Sequence, residues 1–178
     1  MNPDRIKQSL EKMTAYFEAN PQRAIAADKP ATATIESGLR VKALGPKGES
    51  MITDMPPGIG GDNTAPTPGW FLRAALANCD ATMIALRAAQ LGMELTTLEV
   101  TVVSDSDSRG LISDESNIPA GPLGFQVTVR IDAKGAATGE LQDLVRWAEN
   151  HSPVGDALRR AVPVTVTVTV MTGEPAAS

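Results

Sequence analysis

The sequence has only one cysteine, Cys79, among 178 residues. A single cysteine cannot form a disulfide within the chain, so the disulfide framework of a small secreted domain is excluded. Histidine is equally scarce, since His151 stands alone and lies far from the cysteine in sequence. This pair does not have the spacing of a metal site. We therefore expect neither a bound metal nor another cofactor.

Aromatic residues make up only 3% of the chain, so the core is predicted to consist of Ala, Val, Leu and Met. An excess of positive charge is also missing, because the net charge is −5. This balance argues against nucleic acid or an anionic membrane as a partner.

An uninterrupted apolar run of membrane-spanning length is absent as well. The longest run, Pro68 to Leu91, contains Arg73, Asp80 and Arg87. Each of these charges is costly at the centre of a bilayer. The N-terminus also has no apolar core of the signal-peptide type. The run is therefore predicted to be a buried helix of a cytoplasmic protein.

The order of elements predicts one α+β domain over residues 1–178. The spacing of Ile6, Leu10, Met13 and Phe17 indicates an amphipathic helix within residues 1–20. The other predicted elements, in chain order, are strands at 31–36, 39–44 and 50–53, a helix at 68–91, strands at 97–103 and 125–131, helices near 141–148 and 153–160, a strand at 162–171, and a frayed tail at 173–178. Helices and strands are partly segregated, which favours α+β with antiparallel sheets over a doubly wound sheet.

The helix at 68–91 is apolar over most of its circumference, so it must be covered on several sides. One small sheet covers one side, and the simplest source of the remainder is a second copy of the chain. We therefore predict an obligate homodimer. Cys79 lies on the apolar side, where an inert core thiol is the simplest interpretation. It lies about three turns into the helix, beyond the reach of the helix dipole, so an activated thiol would need a cation from elsewhere.

A group of ordered motifs around this helix resembles the OsmC/Ohr family. Gly60-Gly61-Asp62 and Thr67-Pro68 precede the helix, and Cys79 follows Pro68 by eleven residues. The resemblance continues through 91–95, 98–103, 109–111, 119–121, 148–154 and the valine-rich end of the chain, and it covers about 31–171.

The resemblance implies an intertwined homodimer whose antiparallel sheets wrap a long central helix. It also implies a thiol-dependent reductase of organic hydroperoxides, active in the oxidative stress response. Cys79 matches the family's peroxidatic cysteine, which is oxidised to a sulfenic acid. An arginine of the N-terminal strands favours the thiolate in the family, and Arg40 is the candidate here.

The sequence departs from the family pattern in two ways. Ser152 stands where the family's peroxidases have a second cysteine, and a hydroxyl cannot resolve a sulfenic acid into a disulfide. The resemblance therefore implies a one-cysteine enzyme regenerated by an external thiol reductant. The glutamate that pairs with the arginine in the hydroperoxide-resistance branch is also missing, and Asp54 or Asp62 is the candidate substitute.

A second interpretation stays open beside the enzyme. In it the chain is a non-peroxidatic family member that binds a small hydrophobic ligand at the dimer interface, with Cys79 structural or a redox sensor. The missing second thiol favours this interpretation, whereas the retained Cys79 in its motif favours the enzyme. The two differ in thiol reactivity, because an activated thiol is alkylated well below the ordinary cysteine pKa of about 8.5.

Overall fold

The computed structural model describes residues 3–113 and 117–171, and the predicted tail at 173–178 lies outside the described residues. The predicted α+β class is confirmed. The helices of the described part are α1 (Pro3–Ala19), α2 (Pro68–Leu91), α3 (Thr138–Asn150) and α4 (Pro153–Arg159). The strands there are β1 (Thr32–Ser37), β2 (Arg40–Leu44), β3 (Ser50–Thr53), β4 (Leu95–Ser106) and β5 (Pro122–Ala133).

The strands form two separate antiparallel sheets. β1, β2 and β3 form a three-stranded meander, in which Val41 pairs with Ile35 on one side and Thr53 on the other. β4 and β5 form a two-stranded sheet in which Val100 pairs with Val129. Both strands of this sheet are longer than predicted, because backbone pairing continues beyond the alternating β-branched residues at both ends.

The bounds of α2 follow from its two ends. The Thr67 hydroxyl accepts a hydrogen bond from the Trp70 N–H at 3.2 Å, and Pro68 occupies the first turn, where its missing N–H costs nothing. At the other end, Gly92 adopts φ +71°, a left-handed conformation that favours glycine and ends the helix. No helix among the described residues is both long and apolar enough to cross a membrane.

The core of the protomer lies between α2, α3 and the β4–β5 sheet. Ile84 and Ala88 of α2 are buried against Leu144 and Ala148 of α3. Half-buried side chains of the sheet cover this cluster, among them Leu98, Val100, Val129 and Ile131. The core is aliphatic, as the scarcity of aromatic residues predicts.

The strand predicted at 162–171 is wrong for the protomer, because this segment pairs with no other described strand. Val164, Val166, Val168 and Val170 are between 76% and 84% exposed. A strand requires a neighbour for its backbone N–H and C=O groups, and the alternating sequence does not say where that neighbour lies. The prediction failed because no described element of the same chain supplies it.

The β1–β3 meander also stands apart from the rest of the protomer. Within the described residues it makes no extensive packing with any helix. Ile35 is 69% exposed and Met51 is 39% exposed. The fold of one chain therefore leaves two β-structured or β-prone surfaces without a covering layer.

Replacing Leu144 with alanine is expected to destabilise the protein by about 2–5 kcal/mol, because the side chain is 1% exposed and its loss leaves a cavity between α2 and α3. The free energy of unfolding is measured with urea at one fixed protein concentration. The control is Leu111→Ala, where the side chain is 59% exposed and the expected change is within about 0.5 kcal/mol. Equal shifts for the two variants would contradict the assignment of the core.

Candidate functional site

Cys79 lies on a side of α2 that the protomer does not fully cover. Its side chain is half-buried, and Ala75 and Thr82, its neighbours one turn away on either side, are exposed. The fully buried residues of α2 are Leu76, Asp80, Ile84, Ala88 and Ala89. Among the described residues the thiol forms no hydrogen bond and no disulfide. A second protomer or a ligand can therefore approach it.

Arg40, the predicted activating cation, is held by two side chains. Its Nε donates to Glu36 Oε2 at 3.0 Å, and its Nη1 donates to Thr64 Oγ1 at 2.7 Å. The Glu36 contact follows from the tight β1–β2 connection, which pairs Ser37 with Arg40. Within one described protomer no hydrogen bond or ion pair joins Arg40 to Cys79. If Arg40 acts on the thiol as predicted, it does not do so through a hydrogen bond within a single chain.

Asp54, one of the two predicted acidic partners, is almost completely buried at 1% exposure. Its Oδ2 accepts from the Thr64 hydroxyl at 2.7 Å and the Thr64 N–H at 2.9 Å, and its Oδ1 accepts from the Met55 N–H at 2.7 Å. These bonds, with the Thr64 hydroxyl first, lower the pKa of Asp54 from 3.8 to about 2 against the opposing effect of burial. Asp54 is therefore a buried, ionised carboxylate.

Thr64 connects Asp54 to Arg40, because its hydroxyl lies within hydrogen-bond distance of both. We call Glu36, Arg40, Thr64 and Asp54 the Arg40 network. The direct carboxylate partner of Arg40 is Glu36, which sequence reasoning missed. The signal that could have found it is the four-residue spacing across the Ser37-Gly38 turn. Asp62, the other predicted partner, is exposed, and its described contact is a backbone N–H bond to Asp54.

The Gly-Gly step of the family-like motif has a structural cause. A Cβ atom at Gly61 would lie 1.9 Å from the Met55 carbonyl oxygen, so a side chain cannot be accommodated there. The loop folds back on itself at this point, and Asn63 donates its N–H to the same carbonyl. This close backbone approach brings Thr64 to Asp54.

Ser152, at the position of the family's second cysteine, caps α4. Its side chain is completely buried, and its Oγ accepts from the Gly155 N–H at 3.1 Å. Pro153 follows at the first helical position. These contacts match the standard N-cap arrangement. The hydroxyl therefore has a structural role that needs no reactivity.

The three charges of α2 face into the protomer. Arg73 Nη1 donates to Ser104 Oγ at 3.2 Å, and the Arg87 guanidinium lies 4.7 Å from the centre of the Trp147 ring. Asp80, between them, is 4% exposed, and its Oδ1 has no hydrogen-bond partner among the described residues. The lone His151 stacks on Trp147 at 3.9 Å between ring centres. In the described ranges no group of three or more His, Cys, Asp or Glu side chains could hold a metal ion.

The fold and the site define an α+β protein in which a long central helix carries one thiol on an open side. The sequence model of the family described as OsmC-like protein matches residues 61–167, which is more than half of the chain. The chain belongs to the OsmC family. No match was found among curated proteins.

Solved structures of the same family share this fold. An OsmC-like protein from Mycoplasma pneumoniae is 14% identical with a TM-score of 0.63, over 77% of this chain and 91% of that one. An organic hydroperoxide resistance protein from Elizabethkingia anophelis is 22% identical with a TM-score of 0.57, over 77% and 91%. One from Legionella pneumophila, described as OsmC, is 21% identical with a TM-score of 0.54, over 76% and 91%. At these identities the likeness shows the fold.

The lowered pKa of Asp54 predicts a specific dependence of stability on pH. Because the pKa is lower in the folded protein, the carboxylate stabilises the fold fully above 3.8, and this contribution is lost as the pH falls towards about 2. Asp54→Asn is expected to unfold more easily than the parent at pH 7 and to lose less stability over this acid range. Urea unfolding between pH 7 and pH 2 measures both effects.

The control is Asp132→Asn, at an exposed aspartate that also accepts from a threonine hydroxyl. It should keep the acid dependence of the parent. An acid dependence of Asp54→Asn identical to that of the parent would rule out Asp54 as its source.

Proposed function

We propose that this OsmC-family protein is a thiol-dependent reductase of organic hydroperoxides with Cys79 as the peroxidatic cysteine. The observation that carries the proposal is the lone thiol, half-buried on the uncovered side of α2. Family membership supports it, and so do the structural neighbours that are named organic hydroperoxide resistance proteins. Leu72, Met83 and Leu86 lie on the same side of the helix and give the thiol apolar surroundings suited to an organic peroxide.

The proposed reaction uses one cysteine and two external thiols. The Cys79 thiolate attacks the distal oxygen of the hydroperoxide, so an S–O bond forms and the O–O bond breaks. Two electrons pass from sulfur to the peroxide, the alkoxide takes a proton and leaves as an alcohol, and Cys79 becomes a sulfenic acid. One external thiol then condenses with it, releasing water and forming a mixed disulfide. A second thiol attacks that disulfide, which frees Cys79 and releases an external disulfide.

Arg40 is proposed to stabilise the thiolate of Cys79. Its Nε and Nη1 atoms are engaged by Glu36 and Thr64, and Nη2 has no hydrogen bond to any described residue. A guanidinium has five N–H donors, so the two it uses leave others for a third acceptor. A cation beside a cysteine lowers the thiol pKa and raises the fraction of the nucleophilic form.

A homodimer is proposed to complete the site. Three surfaces of the protomer are incompletely covered by the described residues: the Cys79 side of α2, the β1–β3 meander and the valine-rich segment at 162–171. A second copy covers all three at once, since each protomer can supply a sheet and a strand to the other. This arrangement also gives Arg40 a route to a thiol that it does not contact within its own chain. A cytoplasmic location stays a prediction.

The purified protein is expected to consume cumene hydroperoxide in the presence of excess dithiol, and Cys79→Ser should abolish turnover because it removes the only thiol. Dimedone should trap the sulfenic acid on Cys79 after one equivalent of peroxide. Turnover that persists in Cys79→Ser would refute the assignment. No turnover, together with slow alkylation of Cys79 at neutral pH, would favour the non-peroxidatic family member that binds a hydrophobic ligand.

The dimer is expected to have about twice the 18.6 kDa mass of the chain in sedimentation experiments. Val166→Asp should weaken it, because Val166 is 79% exposed in the protomer and is proposed to be buried by the partner. Thr167→Asp is the matched control, since the next residue of a strand points to the opposite face. A parent mass of one chain would exclude the dimer.

A further inference from the structure

Two side chains, Glu36 and Thr64, contact the Arg40 guanidinium, and they differ in how firmly they can fix its orientation. Glu36 forms an ion pair with Nε, but both side chains are about a third exposed, at 30% and 38%. Exposed ion pairs of this kind are weak and leave long side chains mobile. Thr64 is exposed too, but it contacts Nη1 at 2.7 Å and is itself hydrogen-bonded to a buried carboxylate. The Thr64 contact is therefore the one able to fix the plane of the guanidinium.

The direction of the Thr64 hydroxyl is fixed by its two partners. Asp54 is ionised and only accepts hydrogen bonds, whereas Arg40 only donates them. The single hydroxyl proton must therefore point to Asp54, and a lone pair of the oxygen must point to Arg40. The buried charge of Asp54 polarises this hydroxyl and makes its oxygen a better acceptor.

Thr64 is also held rigidly by its own backbone. Its N–H donates to Asp54 at 2.9 Å, and the neighbouring Asn63 N–H donates to the Met55 carbonyl at 3.1 Å. The close approach of Gly61 to Met55 fixes the same turn of the loop. A hydroxyl mounted on this turn can hold a flexible arginine in one orientation.

We infer that Thr64 is a positioning residue that acts through Arg40, aligning the guanidinium for the thiolate of Cys79 while the Asp54 carboxylate orients the Thr64 hydroxyl. The inference rests on the proposed function, because it gives Arg40 its role toward Cys79. It goes beyond that function by assigning the loop before α2 a part in setting the reactivity of the thiol. Valine at this position keeps the branched shape and the backbone N–H bond but removes the hydroxyl.

The test measures the rate of Cys79 alkylation by iodoacetamide between pH 5.5 and pH 9, which gives the apparent pKa of the thiol. Thr64→Val is expected to raise this apparent pKa and to slow alkylation below it about fivefold, with a similar loss in kcat/KM for cumene hydroperoxide. Thr64→Ser restores the hydroxyl and should behave like the parent. Thr64→Ala also removes the hydroxyl, with a smaller side chain, and should give the same profile as Thr64→Val. If one of these two variants fails to fold, the other still tests the inference.

Thr96→Val is the matched control, because Thr96 also donates its hydroxyl to an aspartate, Asp132 Oδ2, at 2.9 Å. That bond lies between β4 and β5 and touches no part of the Arg40 network. Thr96→Val should leave the alkylation profile unchanged. A profile shifted equally by Thr96→Val and Thr64→Val would mean that the effect is a general loss of stability, and would overturn the inference.

A double-mutant cycle tests the route through Arg40. Arg40→Met removes the guanidinium and all its donors, so adding Thr64→Val to it should cause no further slowing. A further slowing of about fivefold in the double variant would overturn the inference. A Thr64→Val profile like that of the parent would overturn it as well. The proposed function fails separately, when the thiol of the parent protein shows no activation or when Cys79→Ser retains turnover.

Discussion

The structure depends on how the two sides of α2 are covered. One side packs Ile84 and Ala88 against α3, and the protomer buries it without help. The other side carries Cys79 and is only partly covered within the described part of the chain. The thiol of Cys79 therefore lies among apolar side chains of α2 but is only half-buried. This partial cover distinguishes α2 from a helix in the core of a monomeric protein, which is packed on every side.

The groups proposed to carry the chemistry come from separate parts of the chain, and each is held by contacts that also maintain the fold. Arg40 belongs to the meander, while the loop that leads into α2 contributes Thr64 and Asp54. Ser152 is committed to the start of α4. In the proposed reaction, reduction of an oxidised Cys79 therefore falls to a molecule outside the chain. In the proposed function the protein supplies one oxidisable sulfur, and Arg40 stabilises its thiolate.

Sequence reasoning located what is encoded locally. The bounds of α2, predicted at 68–91, are correct because helix ends such as those at Thr67 and Gly92 depend on a few adjacent residues. The segment at 162–171 was predicted as a strand and failed, because pairing depends on a neighbour that the alternating valines do not identify. The link from Asp54 through Thr64 to Arg40 was also invisible, since it joins positions up to 24 residues apart through a loop that folds back. The contacts of Arg73 and Arg87 on α2 could not be predicted either, because their partners lie on other elements. Arg73 contacts Ser104 of β4, and Arg87 lies over Trp147 of α3.

The valine-rich segment has a consequence for the life of the protein in a cell. It contains no charged residue, alternates Val with Thr and exposes Val164 through Val170 in the isolated protomer. Segments of this composition with free backbone groups join readily to one another in growing β-aggregates. A newly synthesised chain is therefore prone to aggregation as long as the backbone groups of this segment have no partner. The yield of soluble protein is therefore expected to depend on how well this segment is kept from pairing with other copies.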